Sequence, residues 1–190
     1  MTDLTMKIPD KAKKVFTGVI FDTYHWDQEM FDGSTAKFEM LGRPDASRII
    51  ATSDNKIILS QEKQPTCPEV TGTFGGRVDE GETPLECAKR ELLEESGLES
   101  QDWELFSSHE PYPEKMDFTV YTYIARNCKK IKEPTKDPGE IIKTITVDFD
   151  KFIELTIAKD SPATKELIID ILKMKAEGTL EEFKETLFKK

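Results

Sequence analysis

The chain has 190 residues, 37% hydrophobic and 34% charged, with a net charge of −10. That length suits one domain, or one domain with a small appendage, and suffices to bury roughly 70% of the unfolded surface. So acidic a chain is a poor partner for nucleic acid or an anionic membrane, although small anionic substrates stay open to it where cations intervene.

The N-terminal "MTDLTMKIPDKAKK" has no apolar core of a signal peptide, and no later stretch holds 18 apolar residues, so the chain reads as cytoplasmic without a membrane span. From residue 15 to 62 the pattern predicts strands. "VFTGVIF" is apolar and β-branched. "DTYHWDQEMF" and "TAKFEML" flank a turn at Asp32–Ser34, and "SRIIATS" and "KIILSQ" flank a second at Asp54-Asn55. A loop rich in proline and glycine follows to Gly76, with one short strand, "EVTGTF".

A helix is predicted over Pro84–Ser96. Thr83 caps it, Pro84 suits its first position, Glu86 completes a capping box and Gly97 ends it. "DWELFSS", "FTVYTYIA" and "IIKTITV" then read as strands, with an exposed charged loop, "CKKIKEPTKDPGE", before the last. Two helices close the chain, one after Ser161-Pro162 and one from Thr179, where Glu182 completes another capping box. Strands before, between and after helices imply a mixed α/β or α+β class. The three cysteines, Cys67, Cys87 and Cys128, form no C-x-x-C pair, and only two histidines accompany them. That argues against a Cys/His zinc site and for a reducing compartment.

The segment Gly76–Leu98 carries seven acidic side chains, Asp79, Glu80, Glu82, Glu86, Glu91, Glu94 and Glu95. On the predicted helix Glu91, Glu94 and Glu95 share an arc of roughly 100°, beside an apolar stripe of Leu85, Ala88 and Leu92. Like charges at i,i+4 cost about 0.2–0.5 kcal/mol. Arg90 pairs at that spacing with Glu86 or Glu94 only, which leaves Glu91 and Glu95 uncompensated. Clustered carboxylates are hard oxygen donors suited to Mg²⁺ or Mn²⁺. Gly75, Gly76 and Gly81 in the preceding loop let backbone approach a ligand closely.

The same segment resembles the Nudix box, G-x5-E-x7-R-E-U-x-E-E-x-G-U with U aliphatic. Gly76, Glu82, Arg90, Glu91, Leu92, Glu94, Glu95, Gly97 and Leu98 fill every position. Seven specific residues at about 7% each recur by chance on the order of once in 10⁸ starts. The resemblance implies an α/β/α sandwich with a mixed sheet that hydrolyses a nucleoside diphosphate linked to another moiety. It implies Glu91 and Glu95 as metal ligands, Glu94 as ligand or base, and Glu82 in support of the metal's water shell. It also implies Arg90 as the residue that orients the glutamates and the Gly75 carbonyl as a further ligand.

The flanks are similar to those of ADP-ribose pyrophosphatases. That likeness implies an N-terminal antiparallel β region over 1–46 that builds a homodimer, a hydrolase core over 47–157 and C-terminal helices over 158–190. Phe38 and Arg43 match the pair that contacts adenine. Gly76 and Pro113 fall at substrate-side positions, and Glu140 in "DPGEII" matches a glutamate that joins the metal site. The implied reaction is Mg²⁺-dependent cleavage of ADP-ribose to AMP and ribose 5-phosphate. Other Nudix substrates (nucleoside triphosphates, NADH, dinucleoside polyphosphates) and a non-catalytic nucleotide sensor remain the alternatives.

Overall fold

The computed structural model describes residues 7–135 and 139–189. Three antiparallel strands, β1 (Lys13–Thr17), β2 (Asp22–Glu29) and β3 (Thr35–Gly42), open the chain as an N-terminal sheet. The "VFTGVIF" strand is shorter than expected. It stops at Thr17, because Gly18 turns and its N–H bonds the Phe21 carbonyl at 3.0 Å. Val19 and Ile20 therefore lie in a bend and are exposed.

The central sheet is built from β4 (Ala46–Ser53), β5 (Lys56–Gln64), β6 (Cys67–Gly72), β7 (Phe74–Arg77), β9 (Asp102–His109), β11 (Val120–Arg126) and β13 (Ile141–Val147). Its path runs β13-β5-β4-β11-β9, with β6 paired to β5 and β7 to β4. The β4–β11 pair is parallel and the others are antiparallel, so the sheet is mixed. The β4–β5 hairpin turns on Asp54 and Asn55, at φ 50° and 57°, as a tight two-residue turn requires. Between β9 and β11, the short β10 (Met116–Asp117) pairs in parallel with β3 and so joins the N-terminal sheet to the core. Two further short strands, β8 (Leu98–Glu99) and β12 (Lys129–Lys130), pair with each other. The rest of the charged loop after Cys128 includes residues 136–138, which lie outside the described residues.

Helices cover both faces of the central sheet. On one, α1 (Pro84–Ser96) buries Ala88 and Leu92 against Ile49, Ala51, Phe74 and Tyr123. On the other, α2 (Phe149–Thr156), α3 (Lys165–Glu177) and α4 (Leu180–Phe188) pack on Ile50, Ile57, Leu59 and Ile124. The residues split between faces by strand alternation, Ile49 and Ala51 to one side and Ile50 to the other. The result is the α/β/α sandwich that the family resemblance implies. Three helices close the chain where two were expected. The unforeseen α2 is capped by Asp148, which accepts from Lys151 N at 2.9 Å, and buries Phe149, Phe152, Ile153 and Thr156. The capping box expected at Thr179 does not form. Thr179 follows the left-handed Gly178 directly, and its ψ of 12° is far from the extended 155° at which Thr83 caps α1.

Among the described residues no helix is long and apolar enough to cross a membrane. Cys87 and Cys128 are buried free thiols.

Candidate active site

The start of α1 fixes the acidic cluster. Thr83 and Glu86 cap reciprocally: Thr83 Oγ1 accepts from Glu86 N at 3.3 Å and Glu86 Oε2 accepts from Thr83 N at 2.8 Å. Glu86 is thereby withdrawn from Arg90. The loop 77–82 folds back along the helix and brings Glu82, eight residues earlier in sequence, against the guanidinium. Arg90 donates to Glu82 through Nε at 2.9 Å and Nη2 at 3.0 Å. Its Nη1 donates to Glu91 at 2.7 Å and to Glu94 at 3.2 Å, and its Nη2 also reaches the Arg77 carbonyl at 3.0 Å. Of the two i,i+4 partners open to Arg90 the structure pairs Glu94 and not Glu86, and it adds Glu82 and Glu91 while Glu95 stays outside. One planar fork holds three carboxylates, as its five donors permit. This network lowers the Glu82 carboxyl below the usual carboxylate range.

Glu95 stands apart from that network. Its Oε2 accepts from Gly75 N at 3.1 Å. Burial pushes its carboxyl up to about 8, the charges of Glu91 and Glu62 push in the same direction, and Gly75 N–H and Arg48 oppose them. Burial also raises Glu91, against the pull of Arg90. The helix thus carries a half-compensated glutamate beside a buried, uncompensated one.

The glycine loop makes that proximity possible. Gly75 lies at φ 147°, and a Cβ there would meet the Ser47 carbonyl oxygen at 2.1 Å. A Cβ on Gly76 would lie 2.0 Å from Glu91 Oε1. Gly75 admits only a hydrogen in place of a side chain, whereas a side chain at Gly76 would require the Glu91 carboxylate to move.

Among the described residues no three carboxylates converge as a ready cage for a metal ion. The site fits a divalent cation by its chemistry. Glu91, Glu94 and Glu95 offer hard oxygen donors, and Glu95 is a buried acid that lacks a cationic partner within bonding distance.

The remaining residues singled out by the sequence are spread more widely. Glu140 lies at the site's edge: Gln64 Nε2 donates to Glu140 Oε1 at 3.0 Å and to Glu62 Oε1 at 2.5 Å. Phe38 packs on Trp26, ring centroids 5.8 Å apart. Arg43 lies 4.7 Å over the Phe118 ring and 5.6 Å over Phe21. Phe38 and Arg43 therefore stack on different aromatic partners within one chain. Pro113 lines a cavity of about 500 Å³ with His109, Tyr112 and Lys165.

Sequence reasoning missed Glu62, Arg48 and Arg77. Period-2 alternation along "KIILSQEKQ" could have put Glu62 and Gln64 on one face with Ser60. No local signal marks Arg48. Its place beside the site comes from the β4–β7 register, which pairs Arg48 with Gly75 and Ala46 with Arg77.

A model of the NUDIX domain matches residues 42–169. The chain is 29% identical over 147 residues to a methanol dehydrogenase activator of Bacillus methanolicus, covering 76% of this chain and 80% of that protein. It is 25% identical over 151 residues to an ADP-ribose pyrophosphatase of Bacillus subtilis (strain 168), covering 78% and 82%. The crystal structure of an ADP compounds hydrolase superposes with a TM-score of 0.69 at 20% identity, over 92% of this chain and 100% of that one. At that identity the last likeness speaks for the fold alone.

Proposed function

The chain belongs to the NUDIX family of hydrolases, and from that premise we propose that it is a Mg²⁺- or Mn²⁺-dependent pyrophosphatase that cleaves ADP-ribose to AMP and ribose 5-phosphate. The observation that carries this reading is the pairing of Arg90-bound Glu82, Glu91 and Glu94 with the buried Glu95 against Gly75. Likeness to an ADP-ribose pyrophosphatase supports the choice of substrate.

In this reading Glu91 and Glu95, with Glu94 and the Gly75 carbonyl, would hold divalent cations, which would supply charge neutralisation of the diphosphate and a more acidic water. Arg90 keeps Glu91 and Glu94 extended toward the loop. Glu82, fixed by two bonds from Arg90 and one from Asp79 N at 3.1 Å, locks the loop to the helix. Glu94, if it is not taken up as a ligand, or Glu140 would accept the proton of the attacking water; Glu94 is more exposed than Glu91. Water adds to one phosphorus, the bridging P–O bond breaks, and two phosphomonoesters leave. Arg43 and Phe38 contribute to the adenine end, on separate aromatic surfaces.

The N-terminal sheet serves as a dimer interface in this account. Val15, Phe16, Val19 and Ile20 are exposed on it, and such a cluster is uncommon on a free monomer surface. A nucleotide panel tests the function, with Mg²⁺ or Mn²⁺ present and products resolved by chromatography. ADP-ribose should turn over faster than ATP or NADH. A triphosphate or NADH as best substrate would overturn the substrate assignment.

A further inference from the structure

The chain has five arginines, and they divide into two groups. Arg90 and Arg126 are held by carboxylates. Arg43, Arg48 and Arg77 form no ion pair among the described residues. The one side-chain bond of the three runs from Arg43 Nε to the neighbouring Pro44 carbonyl, at 3.3 Å. In a chain of net charge −10, three unpaired arginines in one region are unexpected.

They gather around the start of β4 and the end of β7. The β4–β7 register places Arg48 opposite Gly75, whose N–H holds Glu95. Ser47 faces α1, since its Oγ donates to the Pro84 carbonyl at 2.6 Å; alternation turns Arg48 to the opposite face. Arg77 directly follows Gly76, and Arg77 and Arg43 both line a cavity of about 640 Å³. Arg43 is lowered from its ordinary value by burial first and then by the charges of Arg48 and Arg77. The carboxylates at that cavity are occupied elsewhere. Asp22 pairs with Lys14, Asp45 accepts from Thr119 N at 2.7 Å, and Asp117 accepts from Ile8 N at 3.1 Å and pairs with Lys7 at 3.2 Å. Asp45 acts on Arg43, and Glu95 on Arg48, through space only, so among the described residues these guanidinium donors stay outside any ion pair.

We propose that Arg48 and Arg77, with Arg43 where the adenine end meets the phosphates, form a three-arginine cradle that positions the substrate's phosphates and binds a diphosphate group without metal. The inference rests on the diphosphate-hydrolase reading and adds to it two phosphate-positioning residues on β4 and β7. Guanidinium forks match phosphate oxygens two at a time and stay charged when partly buried. Three of them let an acidic protein hold a polyanion even before the glutamates recruit cations. Mutual repulsion of the three is relieved when the anion arrives, so the empty cradle costs the fold some stability.

The test is calorimetric binding of inorganic pyrophosphate in excess EDTA at low ionic strength, with wild type, Arg48→Ala and Arg77→Ala. Wild type should bind, and each variant should weaken binding about 10-fold or more. Arg48→Lys should recover only part of the loss, because it keeps the charge and loses the fork. Urea melts without ligand should show neither alanine variant less stable than wild type, since no ion pair is broken. Wild type that fails to bind, or alanine variants within about two-fold of it, overturns the cradle. So does a variant that loses both binding and fold stability, because the arginine is then structural. Metal-free pyrophosphate binding is blind to the nucleoside, so failure of ADP-ribose as substrate leaves the cradle standing, and failure of the cradle leaves the substrate assignment standing.

Discussion

A Cβ built on Gly76 would lie 2.0 Å from Glu91 Oε1. The loop backbone and the helix carboxylate thus occupy adjacent space with no room for a methyl group. Gly76→Ala should leave α1 and the sheet intact, because the added carbon meets the end of a side chain. It should displace the Glu91 carboxylate and cut turnover by at least about 10-fold, given that small misplacements of reacting groups are costly. Steady-state kinetics and a thermal melt on the same preparation check both halves.

The helix glutamates were legible in the sequence because their relationship is local. Glu91, Glu94 and Glu95 sit three and four residues apart on one predicted helix, and Thr83, Glu86 and Gly97 set its ends where the structure has them. Arg90's reach was not legible, since Glu82 comes to it only when the loop folds back. The same limit hid Arg48 and Glu62, which join the site through strand register. Helix α2 was missed for another reason. Phe149, Phe152, Ile153 and Thr156 have helical spacing and Asp148 is a good cap, but the helix begins two residues after β13 ends, and the strand's apolar pattern runs straight into it.

His109 predicts a pH effect on stability away from the glutamates. Among the described residues neither buried ring nitrogen has a hydrogen-bond partner of good geometry, although Nε2 lies 3.0 Å from Glu166 Oε2. Burial lowers its pKa from 6.5, more than Glu166 and Asp170 raise it. Between the lowered value and 6.5 the unfolded chain binds the proton and the folded chain does not, so stability rises with pH. The contribution is complete above 6.5 and lost as pH falls through the lowered value. His109→Phe should flatten this part of the profile, so its melting temperature relative to wild type is higher at pH 5.5 than at pH 8. A constant difference across that range would contradict the shift.

Phe183 anchors α4. It is buried and packs against Phe106 at 5.1 Å and Phe149 at 6.0 Å between ring centroids. Phe183→Ala should cost about 3–5 kcal/mol by opening a cavity at the junction of α2, α4 and the sheet. Urea unfolding reads this as a lower midpoint at unchanged slope.

The dimer is testable through its exposed apolar bend. Light scattering at micromolar concentration should return twice the chain mass of 21.7 kDa. Phe16→Asp with Val19→Asp should return the single-chain mass without loss of helix signal, because both residues are exposed within one chain. A wild-type monomer at all concentrations would exclude this surface as an interface.

The most direct measurement compares wild type with Glu95→Gln on ADP-ribose in Mg²⁺, with a parallel reaction in EDTA, following AMP and ribose 5-phosphate by chromatography. Glu95 is the buried carboxyl at Gly75, raised to about 8, and the variant keeps its shape but cannot ionise to offer a cation an anionic oxygen. Wild type should form both products in Mg²⁺ and neither in EDTA. Glu95→Gln should fold normally and turn over at least about 100-fold more slowly. Products in EDTA, or a variant near wild-type turnover at saturating Mg²⁺, would contradict the account.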